Sequence, residues 1–258
     1  YEGQRDFPAV EGTSRLSPCL ATGVLSPRQC LHRLLTEHPA ALDGGAGATW
    51  LNELIWREFY RHLMVYYPKL CKGRPFIAWT DKVAWREDDA ALQAWQRGET
   101  GFPIVDAAMR QLNATGWMHN RLRMIVASFL TKDLRLDWRA GERYFMSQLI
   151  DGDLAANNGG WQWAASTWTD AAPYLGIFNP TTQGEKFDKQ GVFMRRWLPE
   201  LAKVPEKALH QPWAWADKQG IKLDYPRPIV DHKQARQETL AAWEAARKGI
   251  TPPPDGGS

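Results

Sequence analysis

The sequence predicts an all-α fold. Apolar residues recur at three- and four-residue steps over long stretches, and Pro and Gly stand where helices would begin and end. No stretch sustains the period-two alternation of a half-buried strand between hairpin turns. Ser26 followed by Pro27 is an N-cap with Pro at N1, opening a helix that runs toward Glu37, before Pro39. Past the glycine-rich loop at 43–47, Leu51, Leu54, Ile55, Phe59, Leu63 and Tyr66 mark a long amphipathic helix over 49–67, ending before Pro68. Two further helices, over 88–97 and 103–115, stop at Gly98 and Gly116. Helical patterns follow at 119–134, 137–149 and 153–167. Prolines then interrupt the chain, leaving short helices at 188–197 and 212–218 before a polar, Ala-rich final helix at 231–248.

Length and composition exclude several classes. At ~150 residues per domain, 258 residues make one large domain or two small ones. Residues 1–249 read as one helical domain, and 250–258, which include TPPPDGGS, as a flexible tail, a linker or cloning remnant. The opening at Tyr1, with no initiator Met, reads as a piece of a longer protein. Lys and Arg number 32 against 29 Asp and Glu, so any affinity for nucleic acid must come from local clustering of cations. Cys19, Cys30 and Cys71 form no CxxC pattern, which argues against a disulfide framework and for a reducing, cytoplasmic setting. No apolar run approaches the ~18 residues of a membrane span. The six histidines form neither HxxxH nor HExxH, and GxSxG, a P-loop and a strand-borne GxGxxG are all absent. No metal site is expected.

Four segments point to chemistry. Thr13, Ser14, Arg15 and Ser17 place hydroxyls and a guanidinium where a helix could start at Pro18, which fits a phosphate site or an ordinary N-cap. Glu53, Trp56 and Arg57 share a face of the long helix, either as a salt-bridged exposed surface or as a pocket wall. Arg121 and Arg123 stand at a helix head, where the dipole disfavours cations, so an anionic partner or paired carboxylates are implied, with Asp151 and Asp153 the candidates. Asn157-Asn158-Gly159-Gly160 inside a helix costs roughly 1 kcal/mol per glycine relative to alanine, which predicts close approach of a ligand or another backbone. The 14 tryptophans, ten of them between Trp50 and Trp168, fit a large aromatic core, and their density raises ring stacking or electron transfer as a further use.

The segments EGTSRLS (11–17), WLNELIWREF (50–59), GWMHNRLRM (116–124) and DGDLAANNGGWQW (151–163) closely resemble the FAD-binding domain of the photolyase/cryptochrome family, nearest to the bacterial class I cyclobutane pyrimidine dimer photolyases. The likeness covers the chain to about Gly249 and implies a multi-helix FAD domain of photolyase type, here without the N-terminal α/β antenna domain. It implies that Tyr1, Thr13, Ser14, Arg15, Leu16, Ser17, Trp50 and Arg57 hold the diphosphate and adenosine end of a U-shaped FAD. By the same resemblance Arg123 pairs with Asp151 near the isoalloxazine, Asp153 accepts from the flavin ring, and Asn157 lies by N5 and favours the reduced states. Trp161, Trp138 and Trp85 match the electron relay from flavin to surface. Glu53, Trp56, Asn120, Arg121, Met124 and Trp163 match the walls of the cavity for a flipped-out pyrimidine dimer, and Arg5 joins Arg121, Trp56 and Trp163 in contacting DNA. The implied partner is DNA containing pyrimidine dimers, the implied reaction is light-driven electron transfer that splits them, and a monomer is expected.

The segment after WQW departs from the family pattern. Where the family runs roughly Ser-Thr-Gly-Thr-Asp-Ala-x-Pro-Tyr-Phe-Arg, Trp168 stands for the glycine and Leu175-Gly176 for Phe-Arg. Loss of that arginine removes a charge-assisted phosphate contact, so weaker DNA binding is expected. Trp168 predicts either a new stacking wall or a partial block at the cavity rim. With the missing antenna domain and the tail, these changes point to an engineered domain with an intact flavin site. The alternative function is a flavin photoreceptor, or a photoenzyme repurposed for a small-molecule substrate, that keeps FAD and the relay without DNA repair.

Overall fold

The computed structural model describes residues 1–168 and 176–249. Among them the elements are helical, with one isolated bridge between Arg86 and Leu136 and no strand. The helices are α1 (Ser17–Thr22), α2 (Pro27–Glu37), α3 (Ala48–Tyr66), α4 (Asp89–Arg97), α5 (Pro103–Thr115), α6 (Asn120–Ser128), α7 (Trp138–Gln148), α8 (Leu154–Ala165), α9 (Pro180–Phe187), α10 (Val192–Trp197), α11 (Pro212–Gln219) and α12 (His232–Lys248). None of these is long and apolar enough to cross a membrane. The tail at 250–258, Leu175 and the other residues between Trp168 and Gly176 lie outside the described residues.

Local chemistry explains the helix ends. Ser26 accepts from the Gln29 amide while the Gln29 side chain accepts from the Ser26 amide, a reciprocal cap that starts α2. Asp88, Asp137 and Asp153 cap α4, α7 and α8 through their carboxylates. The core is built by α4 to α8: Val105, Met109, Leu112, Leu122, Val126 and Leu130 are buried, with Trp95, Trp138 and Trp161 filling the interior. Gly141 makes this packing possible, because a Cβ there would lie 2.1 Å from the Trp161 ring.

Three helix expectations need correction. The pattern at 119–134 is not one helix: α6 ends at Ser128 and a π-turn spans Phe129–Asp133. Thr131 donates its hydroxyl back to the Ala127 carbonyl, and the wider turn carries the buried Lys132 to Ser166 and Asp133 to His232. The helix expected at 188–197 begins only at Val192, with Gly191 (φ +70°) at its N-cap, and the Asp188 carboxylate accepts from the Phe193 and Met194 amides of its first turn. Helix α9 was not foreseen. Its signal is Asn179 followed by Pro180, where the Asn179 side chain accepts from the Thr181 and Thr182 amides.

Candidate functional site

Helices α3, α6 and α8 face one another across a continuous cleft. One end is a cavity of about 490 Å³ bordered by Trp56, Tyr60, Met124, Asn157, Trp161 and Trp163. The other end, about 330 Å³, is bordered by Tyr1, Trp50, Arg57 and the segment Thr13 to Ser17. Glu53, Asn120, Arg123, Asp151 and Asp153 border both, so the two form one site.

At the polar end the ordinary N-cap reading of the hydroxyl cluster fails. Leu16 is the residue that caps α1, and no side chain hydrogen-bonds the helix start. Thr13, Ser14 and Ser17 are thus left to face the cleft, with Ser14 Oγ accepting at 3.4 Å from the Trp50 indole. Arg15 has φ +53°, a left-handed conformation uncommon outside glycine, and its guanidinium lies 5.0 Å from the centre of the Trp117 ring. This polar, strained loop beside Arg57 suits an anion such as a diphosphate.

The middle of the cleft holds the carboxylates. Arg123 donates to Asp151 Oδ2 at 2.7 Å and to the Met118 carbonyl, also at 2.7 Å, so one guanidinium joins α6 to the start of α8. Asp151 is buried, yet its Oδ1 has no partner among the described residues. A buried acceptor without a donor is costly, and it borders the cleft where a ligand N–H would satisfy it. Asp153 caps α8 through Ala156 and accepts from Arg61 at 2.9 Å, leaving the Arg61 Nε buried without a partner. His119 accepts from the Arg121 amide at the head of α6, and burial lowers its pKa to about 4, so near neutrality it is an uncharged acceptor.

The glycine pair in α8 has two different causes. A Cβ on Gly159 would lie 2.3 Å from the Tyr60 ring, so an aromatic side chain and not a backbone takes that space. Gly160 meets nothing within 4 Å and lies open at the cavity edge. Asn157 donates to the Glu142 carbonyl at 3.0 Å, and Asn158 donates to the Glu142 carboxylate at 3.0 Å. Burial raises the pKa of that carboxyl.

Other expected residues are placed as follows. Asn120 and Met124 lie together on the cavity rim. Trp161 borders the cavity, Trp138 is fully buried and Trp85 is half-buried against Trp243. Glu53 and Arg57 do not pair along α3 as a simple surface face would: Arg5 donates to Glu53 at 2.6 Å and Arg57 to Glu58 at 3.1 Å. Arg121 does not border the cavity; it donates to Asp6 at 2.9 Å and lies 4.5 Å from the centre of the Phe187 ring. Trp168 is buried in the cavity wall between Tyr60 and Phe76. Gly176 is exposed, with open space where a side chain would stand. Tyr60, on the same helix face as Glu53, Trp56 and Arg57, and Arg61 border the cleft although neither is among the expected site residues; Arg61, four and eight residues beyond Arg57 and Glu53, is signalled by helical spacing alone.

Comparison with known families matches residues 50–245 to the FAD binding domain of DNA photolyase, and the chain belongs to that family. It is 78% identical over 249 residues to the deoxyribodipyrimidine photo-lyase of Escherichia coli K12, a match covering 96% of this chain and 53% of that protein. A bacterial class III photolyase from Agrobacterium tumefaciens superposes with TM-score 0.88 at 47% identity, covering 96% of this chain and 52% of that one. An archaeal photolyase from Sulfolobus tokodaii, solved with two FAD molecules, superposes with TM-score 0.83 at 37% identity over 95% and 53% of the two chains. The chain thus spans about half the length of these relatives.

The residues present fit FAD. Hydroxyls and arginines for a diphosphate stand at one end of the cleft, and an unpartnered buried carboxylate oxygen for a ring N–H stands at its middle.

Proposed function

We propose that this chain is the catalytic part of a deoxyribodipyrimidine photo-lyase, holding FAD in the cleft and splitting pyrimidine dimers in DNA under light. The observation that carries the reading is the single cleft joining a polar, phosphate-suited end to an aromatic cavity through the Arg123–Asp151 pair. Bound FAD supplies the light absorption and the transferable electron. Thr13, Ser14, Arg15, Ser17 and Arg57 bind its diphosphate, with Tyr1, Leu16 and Trp50 closing that end. Asp151 and Asp153 would accept from the ring, and Asn157 would orient it.

In the cavity, Trp56 and Trp163 expose about half of their surface and offer stacking faces, worth ~1–3 kcal/mol per base, to a dimer extruded from the duplex. Glu53, Asn120 and Met124 line the approach. Arg5 holds the cavity-wall carboxylate of Glu53, while Arg121 holds Asp6 outside the cavity, and both would offer charge to phosphate. Trp161, Trp138 and Trp85 would be the oxidisable rings of an electron relay between the flavin and the surface. The three free cysteines support a reducing, cytoplasmic setting.

The test is an absorption spectrum of the purified protein followed by blue light with reductant and a dimer-containing oligonucleotide. A flavin spectrum with disappearance of dimers is the expected result. Bound flavin without dimer loss would overturn the repair assignment, and no flavin would overturn the cofactor assignment.

A further inference from the structure

Trp168 has aromatic neighbours on both sides, and they continue in both directions. Tyr60 and Trp168 have ring centres 5.9 Å apart, Trp168 and Phe76 5.7 Å, and Phe76 and Tyr67 4.9 Å. On the cavity side Tyr60 meets Trp56 at 6.0 Å. Trp168 and Tyr60 both border the cavity, whereas Tyr67 is 43% exposed. This row shares no ring with Trp161, Trp138 and Trp85.

The row is held rigidly. The Phe76 amide donates to Gln162 Oε1 at 2.8 Å and the Ile77 amide donates to the Thr167 carbonyl at 3.1 Å, fastening segment 76–77 to the end of α8. Gln162 is itself fixed, donating to Asn158 at 3.0 Å and accepting from Thr167 at 3.1 Å. The Lys69 ammonium lies 5.7 Å from the centre of the Phe76 ring and donates to the Phe76 carbonyl at 2.8 Å.

We propose that Trp168 is an electron donor to the cofactor, completing a second aromatic path from cavity to surface through Phe76 to Tyr67. The proposal rests on FAD occupying the cleft. The oxidant is the light-excited oxidised flavin, which takes one electron from the Trp168 indole. The electron-poor indole is refilled from Tyr67 across the Phe76 ring, which is too hard to oxidise to hold the vacancy itself. The exposed phenol of Tyr67 loses its O–H proton to water as it gives up the electron, and an added thiol reductant restores it. A glycine at position 168, as in the family pattern, leaves Tyr60 and Phe76 without the oxidisable ring between them.

Two measurements test this. In the flavin-loaded protein, Trp161→Phe is expected to retain a slow phase of flavin photoreduction; adding Trp168→Phe, which keeps an aromatic wall, removes that phase, and Trp168→Tyr in its place restores part of it. A slow phase unchanged by Trp168→Phe overturns the proposal. The second measurement needs no light absorption by flavin. A ruthenium photo-oxidant is attached to the exposed Cys71, with Cys19→Ser to direct labelling, and flash oxidation is followed by the absorbance of the tryptophan radical. The radical yield is expected to fall with Trp168→Phe and recover with Trp168→Tyr as a tyrosyl signal. An unchanged yield overturns the path. A positive flash result in protein that binds no flavin would instead count against the cofactor assignment.

Discussion

The two ends of the cleft are built from different materials. The polar end sets the first 26 residues, of which Pro8 alone is buried and which include the six-residue α1 with no buried side chain, against Trp50 and Arg57 of α3. The aromatic end rests on α6, α7 and α8, where Leu122, Val126, Trp138 and Trp161 are packed out of water. Local stability follows burial, so the aromatic end is preformed by the core while the polar end depends on what binds it. A cofactor spanning both ends stabilises the weaker one by mass action.

The largest predicted effect strikes the joint between the two ends. Asp151→Asn leaves the partly exposed Arg123 without its counter-charge, and loss of this charge-assisted bond costs up to about 3 kcal/mol. Urea unfolding of the variant should show that loss together with loss of bound flavin; a variant as stable as the parent would remove the pair from its joining role.

Acid should act next most strongly, through His119. Burial lowers its pKa to about 4 from the ordinary 6.5, so the unfolded chain binds the proton first as pH falls. Stability from this group is therefore complete above about pH 6.5 and is lost as pH falls toward 4, by about 3 kcal/mol at most. Protonation would also remove the acceptor that caps α6 between two arginines. Flavin fluorescence and melting temperature measured across that window should shift together in the parent, and the shift should shrink in His119→Asn, which caps without titrating.

A smaller effect sharpens the contrast. Amide exchange in residues 1–26 should be fast without flavin and slow with it, while α5 and α6 exchange at rates set by global unfolding either way. Equal protection of both regions without flavin would show the polar end to be preformed as well. The smallest effect is Gly176→Arg. The site is open, so the side chain enters without strain, and one restored phosphate contact of about 1 kcal/mol should tighten binding to dimer-containing DNA roughly fivefold at low salt. Unchanged affinity would mean that the departure at this position carries no cost in binding.

Much of the fold was legible because caps and stops are local chemistry. Ser26-Pro27, Asp88, Gly98, Pro103 and Gly116 mark helix ends that the structure keeps within a residue. The break after Ser128 was hidden because π and α turns bury the same apolar face, and only the partners of Lys132 and Asp133 distinguish them. Helix α9 was hidden because its proline was read as a breaker when it stands at N1. In the site, the residue types at 13–17, 53–57 and 151–161 were evident in the chain, but their partners were not. That Glu53 would meet Arg5 and Gly159 would meet Tyr60 depends on segments far apart in sequence.

The sequence by itself determined the helical class, most helix boundaries, the family and the chemical types gathered for a flavin and a base, because these follow from short-range periodicity, capping and motif. Tertiary structure decided which charges face which, that Asp151 keeps one oxygen unpartnered, and that Trp168 enters the cavity wall instead of obstructing it. Those outcomes depend on the docking of α3 against α8 and of segment 76–77 beneath it, and pairings between distant segments leave no periodic trace along the chain.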